Sequence, residues 1–539
     1  MAMKRNIGLV GLTFVAVSGV LGSGWLFAPL LTSQIAGPAA MISWFLGAVA
    51  MLLLALAFAE ISAMFPVAGG IARIPQFSHG RLLGMFMGWS AWAGYCTAAP
   101  IEVEAALRYA SDYLPWVYGD TSGGLSTQGL LLAAVVLAVF TVINFFGVQW
   151  FARVNTTLTW FKLIVPVIFV ATLLSIRFEP TNFTEFGGFA PYGVSGIFAA
   201  VASGGVAFAF LGFRHTIDMA GETKNPQRVI PLALIISLVI CFFVYAGIQV
   251  AFIGALDADM LADGWKALRF TSELGPLGAI AAAVGALWLV SLLNASAVVS
   301  PLGGGLVSVS SNGRLAMAMA QNGVFPDLFA RLNRFGVPFA ALVLNYVVAL
   351  VMLISIPFAE VVALNGAAIV LSLVTGPVAV LSLRALTPET PRPFHLPWAK
   401  LIAPLGFTIA TLLVFWSGWE TTWRLLALLG VGMVLFALRL AVIGRENLHP
   451  RGVLWLPPYL AGIAALSYYG SFVGGRAIIP TPYDSLGAAV VALLTFYFAL
   501  ACRLKPIQFG GFLKDELDFE IQEYGHPDPA DLLETGRRP

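Results

Sequence analysis

Apolar runs about as long as a bilayer is thick recur from near the start of this chain to residue 502, and they dictate an all-α integral membrane protein. A spanning helix takes about 20 mostly apolar residues. Such runs lie near residues 7 to 34, 38 to 65, 83 to 109, 129 to 148, 157 to 175, 196 to 213, 229 to 254, 277 to 309, 338 to 357, 361 to 383, 400 to 418, 423 to 440, 453 to 473 and 485 to 502, fourteen transmembrane helices in all. Composition agrees: of 539 residues, 59% are hydrophobic and 10% charged, with a mean hydropathy of +0.88, outside the usage of a soluble domain.

The connections alternate in charge. Most of the Lys and Arg lie at the two termini and in every other connection, for example Arg73 and Arg81, Arg153, Lys224 and Arg228, and Arg331 and Arg334. The intervening connections hold fewer: Arg108, Arg177, Lys266, Arg269, Arg424 and Arg476. This bias places both termini in the cytoplasm of a multi-pass protein of the cell (inner) membrane and requires an even number of spans. A formal net charge of +2 gives no reason to expect a nucleic acid partner; the partner is the lipid bilayer. Lys4 and Arg5 lead straight into a run long enough to span, which reads as an uncleaved first helix. Cys96, Cys241 and Cys502 sit in apolar runs without metal-ligand spacing and read as small buried hydrophobes.

Two of the runs are poorly built. The first contains GVLGSGWLF (19 to 27), with Gly19, Gly22 and Gly24 around Ser23, and the sixth contains GGVAFAFLGF (204 to 213). Unwinding a helix in hydrocarbon frees N–H and C=O groups, each costing several kcal/mol unless protein, water or ligand satisfies it. Breaks in matched places of successive five-helix halves point to an inverted repeat with a substrate site at the midplane. Half-helix N-termini there attract a carboxylate, and carbonyls of the preceding half hold an ammonium or a cation. Close helix packing through small residues is the competing explanation for the glycines.

Four motifs carry a resemblance: GSGWLFA at the first break, PVAGGIARIPQFSHG between the second and third runs, AFAFLGFRHTIDMAGETKNPQRVIPLAL at the sixth, and GRLAMAMAQNGVFP after the eighth. In this order they resemble the amino acid–polyamine–organocation (APC) superfamily of permeases, over roughly residues 5 to 505. IEVEAALRY (101 to 109), SPLGGG (300 to 305), FWSGW (415 to 419) and YYGSF (468 to 472) look most like its aspartate:proton symporter branch. The resemblance implies a LeuT-like five-plus-five inverted-repeat core with discontinuous helices one and six, plus four additional helices. The corresponding parts are a first repeat at 6–177, a second at 195–385, the additional helices at 398–505 and a polar cytoplasmic tail at 511–539. It further implies that the ligand's carboxylate meets Gly22, Ser23 and Gly24, and its ammonium the carbonyls of Val20, Phe208, Ala209 and Leu211. Trp25 and Phe210 are the aromatics expected to close over it.

Lys162, in NTTLTWFKLIVPVIFV, is a cation within a span. It either snorkels to the headgroups or serves function. Proton-coupled relatives carry a lysine on helix five in place of a sodium ion, so the resemblance makes Lys162 the proton-coupling group, with a co-transported proton and no other cofactor. At 100 mV each positive charge carried inward adds about 2.3 kcal/mol of driving force. Glu102, Ser300 and Gly304 are candidates for the transport path, Glu102 because an intramembrane carboxylate is functional by default. Glu104 is two residues on and faces elsewhere; Glu60 is expected at the cytoplasmic end of its helix.

The implied substrate is aspartate or glutamate, although no arginine stands out at mid-depth: Arg108 and Arg214 are read as nearer the two ends, and His215 as a loop residue. Neutral amino acids, amines, exchange instead of symport, and a transporter-like nutrient receptor stay open, as does the oligomeric state. A membrane enzyme would need a catalytic cluster, whereas His79, His215, His395, His449 and His526 are scattered without an H-E-x-x-H pattern. A channel would need a lined pore in place of broken helices.

Overall fold

The computed structural model describes residues 5–111, 113–119, 124–202, 204–270, 275–355, 358–443, 448–506 and 508–509; the tail at 511–539 and Lys4 lie outside the described residues. Helices account for the regular structure among the described residues, and they are numbered here in chain order. The first half holds α1 (Leu9–Val20), α2 (Ala28–Ala36), α3 (Ala40–Met64), α4 (Gly70–His79), α5 (Arg81–Ala110), α6 (Thr127–Phe145) and α7 (Val148–Ile176). The second holds α8 (Gly193–Ala202), α9 (Val206–Ala209), α10 (Arg214–Asp218), α11 (Pro226–Ala255), α12 (Gly275–Ala283), α13 (Leu287–Gln321), α14 (Phe339–Ser355), α15 (Phe358–Leu373) and α16 (Thr375–Leu386). Then come α17 (Ala399–Trp416), α18 (Trp419–Ile443), α19 (Leu456–Tyr469) and α20 (Tyr483–Ala501).

Ten helices among the described residues are long and apolar enough to cross a membrane, and α1 and α14 are shorter apolar ones. The first span falls short because it is two helices, not one. The eighth is displaced from its apolar run: Gly285, at φ 80°, separates α12 from α13, so the long helix starts at Leu287 and continues to Gln321 through the less apolar SNGRLAMAMAQ. Near the end of the tenth, α16 restarts at Thr375 beside Pro377, whose missing N–H weakens a continuous ladder.

Equivalent members of the two halves pack on one another: α3 on α11, α5 on α13, and α1 on the turn before α10. The approach of α1 to that turn is set by glycine. A Cβ on Gly212 would run into the backbone of Gly19 and Val20. Further out, α17 lies against α3, α16 and α20, while α18 covers α15 and α5. Glu60, at the end of α3, is clamped from outside the substrate region: Arg384 donates to it through Nε (2.9 Å) and Nη2 (2.6 Å), and the Leu396 N–H adds a third bond at 2.7 Å.

Between the second and third spans, α4 is buried against α5, α13 and α16, and ends at Gly80 with φ 92°. His79 fastens it to the last span: Nε2–H donates to the Ala499 carbonyl at 2.9 Å, Nδ1 meets Ser78 Oγ at 2.8 Å, and the Leu504 N–H donates to the Ser78 carbonyl at 3.0 Å. Burial lowers the His79 imidazole from 6.5 to about 4; the Ala499 carbonyl opposes this and Arg503 adds to it. The unfolded chain therefore takes up the proton first. This contact's stability is complete above pH 6.5 and is lost as the pH falls from there to about 4. In detergent, the melting temperature of the wild type is expected to drop more steeply through this window than that of His79→Gln, measured side by side.

Candidate substrate site

The first break starts where Leu21, still bonded to the Val17 carbonyl at 2.8 Å, turns to ψ 64° and leaves the helical region. Gly22 and Ser23 bend, and a single 3-10 turn, Gly24–Leu26, leads into α2. The carbonyls of Ser18 and Val20 thereby lose the N–H groups four residues on that a continuous helix would supply. Replacements come from distant helices. Lys162 of α7 donates Nζ to the Ser18 carbonyl at 2.7 Å and to Ser18 Oγ at 3.1 Å. Tyr245 of α11 donates its hydroxyl to the Val20 carbonyl at 3.0 Å. The Ser23 N–H, freed on the other side of the break, donates to Glu102 Oε2 of α5 at 3.0 Å.

At the second break, Gly205 takes φ 80° between α8 and the single turn of α9, and a 3-10 turn over Phe210–Phe213 follows. Arg214 Nη1 donates to the Leu211 carbonyl at 3.1 Å. Glycines of α13 make room for the charged groups. A Cβ on Gly303 would stand 2.9 Å from Lys162 Nζ, and one on Gly304 would stand 3.2 Å from Glu102 Cδ. One on Gly22 would run into Glu102 Oε1. By contrast, nothing lies within 4 Å of a Cβ placed on Gly24 or Gly205, and Gly24 is exposed. Open space therefore lies beside Gly24 and beside Gly205, and Ser23, Glu102, Phe208 and Ala209 next to the breaks are half-buried.

On one side of the breaks the side chains are packed into a buried cluster. Tyr95 OH donates to Asp218 Oδ2 at 2.5 Å, the Tyr95 ring meets the edge of His215, and His215 Nδ1 bonds Ser311 Oγ at 2.7 Å, all buried. On the other side Phe27, 40% exposed, stacks on Tyr109 with ring centroids 5.7 Å apart.

Among the residues singled out from sequence, Gly22, Ser23, Gly24, Glu102, Lys162 and Gly304 come together around the first break. The carbonyls of Val20 and Leu211 are occupied by Tyr245 and Arg214. Trp25 is fully buried. Phe210 belongs to a buried aromatic cluster with Trp44 (5.9 Å) and Tyr245 (5.6 Å), whereas Phe208 reaches α15, where a Cβ on Gly366 would lie 2.6 Å from its ring. Ser300 bonds Ser296 along α13 at 3.3 Å. The backbone carbonyl of Glu104 accepts from the Tyr118 hydroxyl at 3.4 Å. Arg214 and His215 are buried directly after the second break and are not loop residues. Tyr245 carries no sequence signal, because its partner lies 225 positions away.

Two substitutions separate room from support. Gly24→Val is expected to insert and fold normally, since its side chain enters open space, yet to reduce uptake to background by filling the space where the resemblance puts the ligand's carboxylate. Gly22→Ala is expected to push Glu102 off Ser23, removing a hydrogen bond to a charged group and lowering stability by roughly 2 kcal/mol. Melting in detergent with parallel uptake measurements distinguishes the two.

The comparisons agree with this geometry. Residues 7–436 match the family model described as amino acid permease. A glutamate/serine transporter of Bacillus subtilis, AimA, is 35% identical, with 96% of this chain and 97% of that protein covered. The aspartate-proton symporter of the same organism is 33% identical over 96% and 98%. The branched-chain amino acid permease BcaP, also from that organism, is 25% identical over 81% and 93%. On the broken helices, the packing of the two halves and a family match over most of its length, the chain belongs to the amino acid permease family of the APC superfamily.

Proposed function

We propose that this chain imports an acidic amino acid, aspartate or glutamate, together with a proton, across the cell inner membrane with both termini in the cytoplasm. The observation that carries the reading is the bond from the Ser23 N–H to Glu102: the break already binds a carboxylate, and that carboxylate is the protein's own. Charge-assisted bonds of this kind are among the stronger ones available to a neutral backbone donor. A substrate α-carboxylate entering beside Gly24 competes with Glu102 for the same donor. Carbonyls of Phe208 and Ala209 face the ammonium.

Release of Glu102 leaves that carboxylate without its donor, which is costly in that setting. Lys162 supplies the coupling to the helix: its ammonium holds the Ser18 carbonyl, and losing that proton weakens the hold on α1. Ser300 and Gly304 belong to the wall of the path, and the repeats run over 6–177 and 195–385 with helices at 398–505 outside them. Two full-length relatives named for glutamate and aspartate favour a dicarboxylate; the serine in the first name supports a neutral amino acid as the second reading.

The test is uptake into proteoliposomes. Labelled aspartate is expected to accumulate under an inward proton gradient without sodium, to be displaced by glutamate and not by leucine, and to stop accumulating in Lys162→Ala. Accumulation that needs sodium, or that is unchanged in Lys162→Ala, overturns the coupling. Competition by serine with none by glutamate moves the substrate to neutral amino acids.

A further inference from the structure

An acidic substrate has a second carboxylate, and two broken helices provide for only one. Arg214 is the first residue of α10, immediately beyond the second break, and its side chain is 5% exposed. Its guanidinium lies over the Tyr95 ring, Cζ 4.5 Å from the centroid. One nitrogen, Nη1, bonds the Leu211 carbonyl, while Nε has no hydrogen-bond partner. Asp218, one turn further along α10, gives Oδ2 to Tyr95, and no ion pair joins it to Arg214 among the described residues. Asp218 and Glu102 lie within range of its charge, yet neither pairs with its fork, and a buried Nε–H without an acceptor is costly until one arrives.

The spacing suits such a partner. Tyr95 and Glu102, seven residues apart, share one face of α5, and the charge of Arg214 reaches the Glu102 carboxylate. Glu102 marks the place of the α-carboxylate at Ser23, and Arg214 sits at Tyr95. A zwitterion held at Ser23 with its side chain directed along this face sends its second carboxylate toward Arg214, whose planar fork accepts a carboxylate through two parallel bonds. The side chain of serine ends short of that place.

We propose that Arg214 is a specificity-determining residue, pairing with the side-chain carboxylate of a dicarboxylic amino acid. This rests on the substrate reading above. The competing role for Arg214 is a structural cation that steadies the closed side of the protein through Tyr95.

Ligand affinities of the purified full-length protein decide between them, with aspartate and its neutral isostere asparagine as the pair of probes. In the wild type aspartate is expected to bind more tightly than asparagine. Arg214→Gln is expected to weaken aspartate by about tenfold or more, the loss of a charge-assisted pair, and to change asparagine by no more than about twofold. Arg214→Lys, which keeps the charge and loses the fork, should fall between. If Arg214→Gln does not insert, Arg214→Met repeats the measurement with a neutral stem of similar length. Neutral variants that keep the wild-type preference for aspartate, or that lose both ligands equally, overturn the role of Arg214 while the substrate reading stands. A wild type that prefers asparagine overturns the substrate reading and this one together.

Discussion

The constraint on which this fold depends is the satisfaction of peptide groups set free inside a membrane. Breaking the first span strips the Ser18 and Val20 carbonyls of their partners and leaves the Ser23 N–H exposed, and lipid offers nothing in exchange. Three long side chains, one each from α5, α7 and α11, take these positions. Two of the three partners, Glu102 and Lys162, are residues of charged type inside the spans, and each is held by a backbone group that the break sets free.

Small residues make this arrangement possible. Gly303 and Gly304 of α13 leave space for the ends of Lys162 and Glu102, and Gly19 and Gly212 let the two broken spans touch backbone to backbone. The competing explanation of such glycines, close packing, is therefore correct for Gly19 and Gly212, while Gly24 and Gly205 border open space. Packing and binding are divided among neighbouring glycines of the same motifs.

The side of the protein where the chain begins is tied together by buried polar contacts. Beyond Tyr95 and His215, Arg314 forms a buried ion pair with Glu222 at 2.5 Å, and the Asn6 and Ile7 N–H groups donate to the Glu222 carbonyl at 2.9 and 3.0 Å. The N-terminal segment, α13 and the connection after α10 are thus tied into one closure. An ion pair without water is expensive to separate one partner at a time. Separating this side means breaking the contacts of all three elements together.

What the sequence determined by itself is what depends on local composition: helices from the length of apolar runs, their order, and the two breaks from clustered Gly22, Ser23, Gly24 and Gly204, Gly205; the fourteen spans counted from hydropathy compare with ten helices of membrane-crossing length among the described residues. The meeting of a carboxylate with the first break was also legible in part, since Glu102 in a span has no cheap alternative to a partner. Tertiary structure alone decided which partner each group takes. Tyr245 on the Val20 carbonyl, Phe210 turned into the Trp44 cluster, Arg214 buried over Tyr95 and Glu60 clamped by Arg384 all join positions far apart in the chain. Hydropathy records whether a residue tolerates lipid, but the direction a side chain takes within a bundle is set by the neighbours that fill the space around it, and those neighbours arrive from other helices.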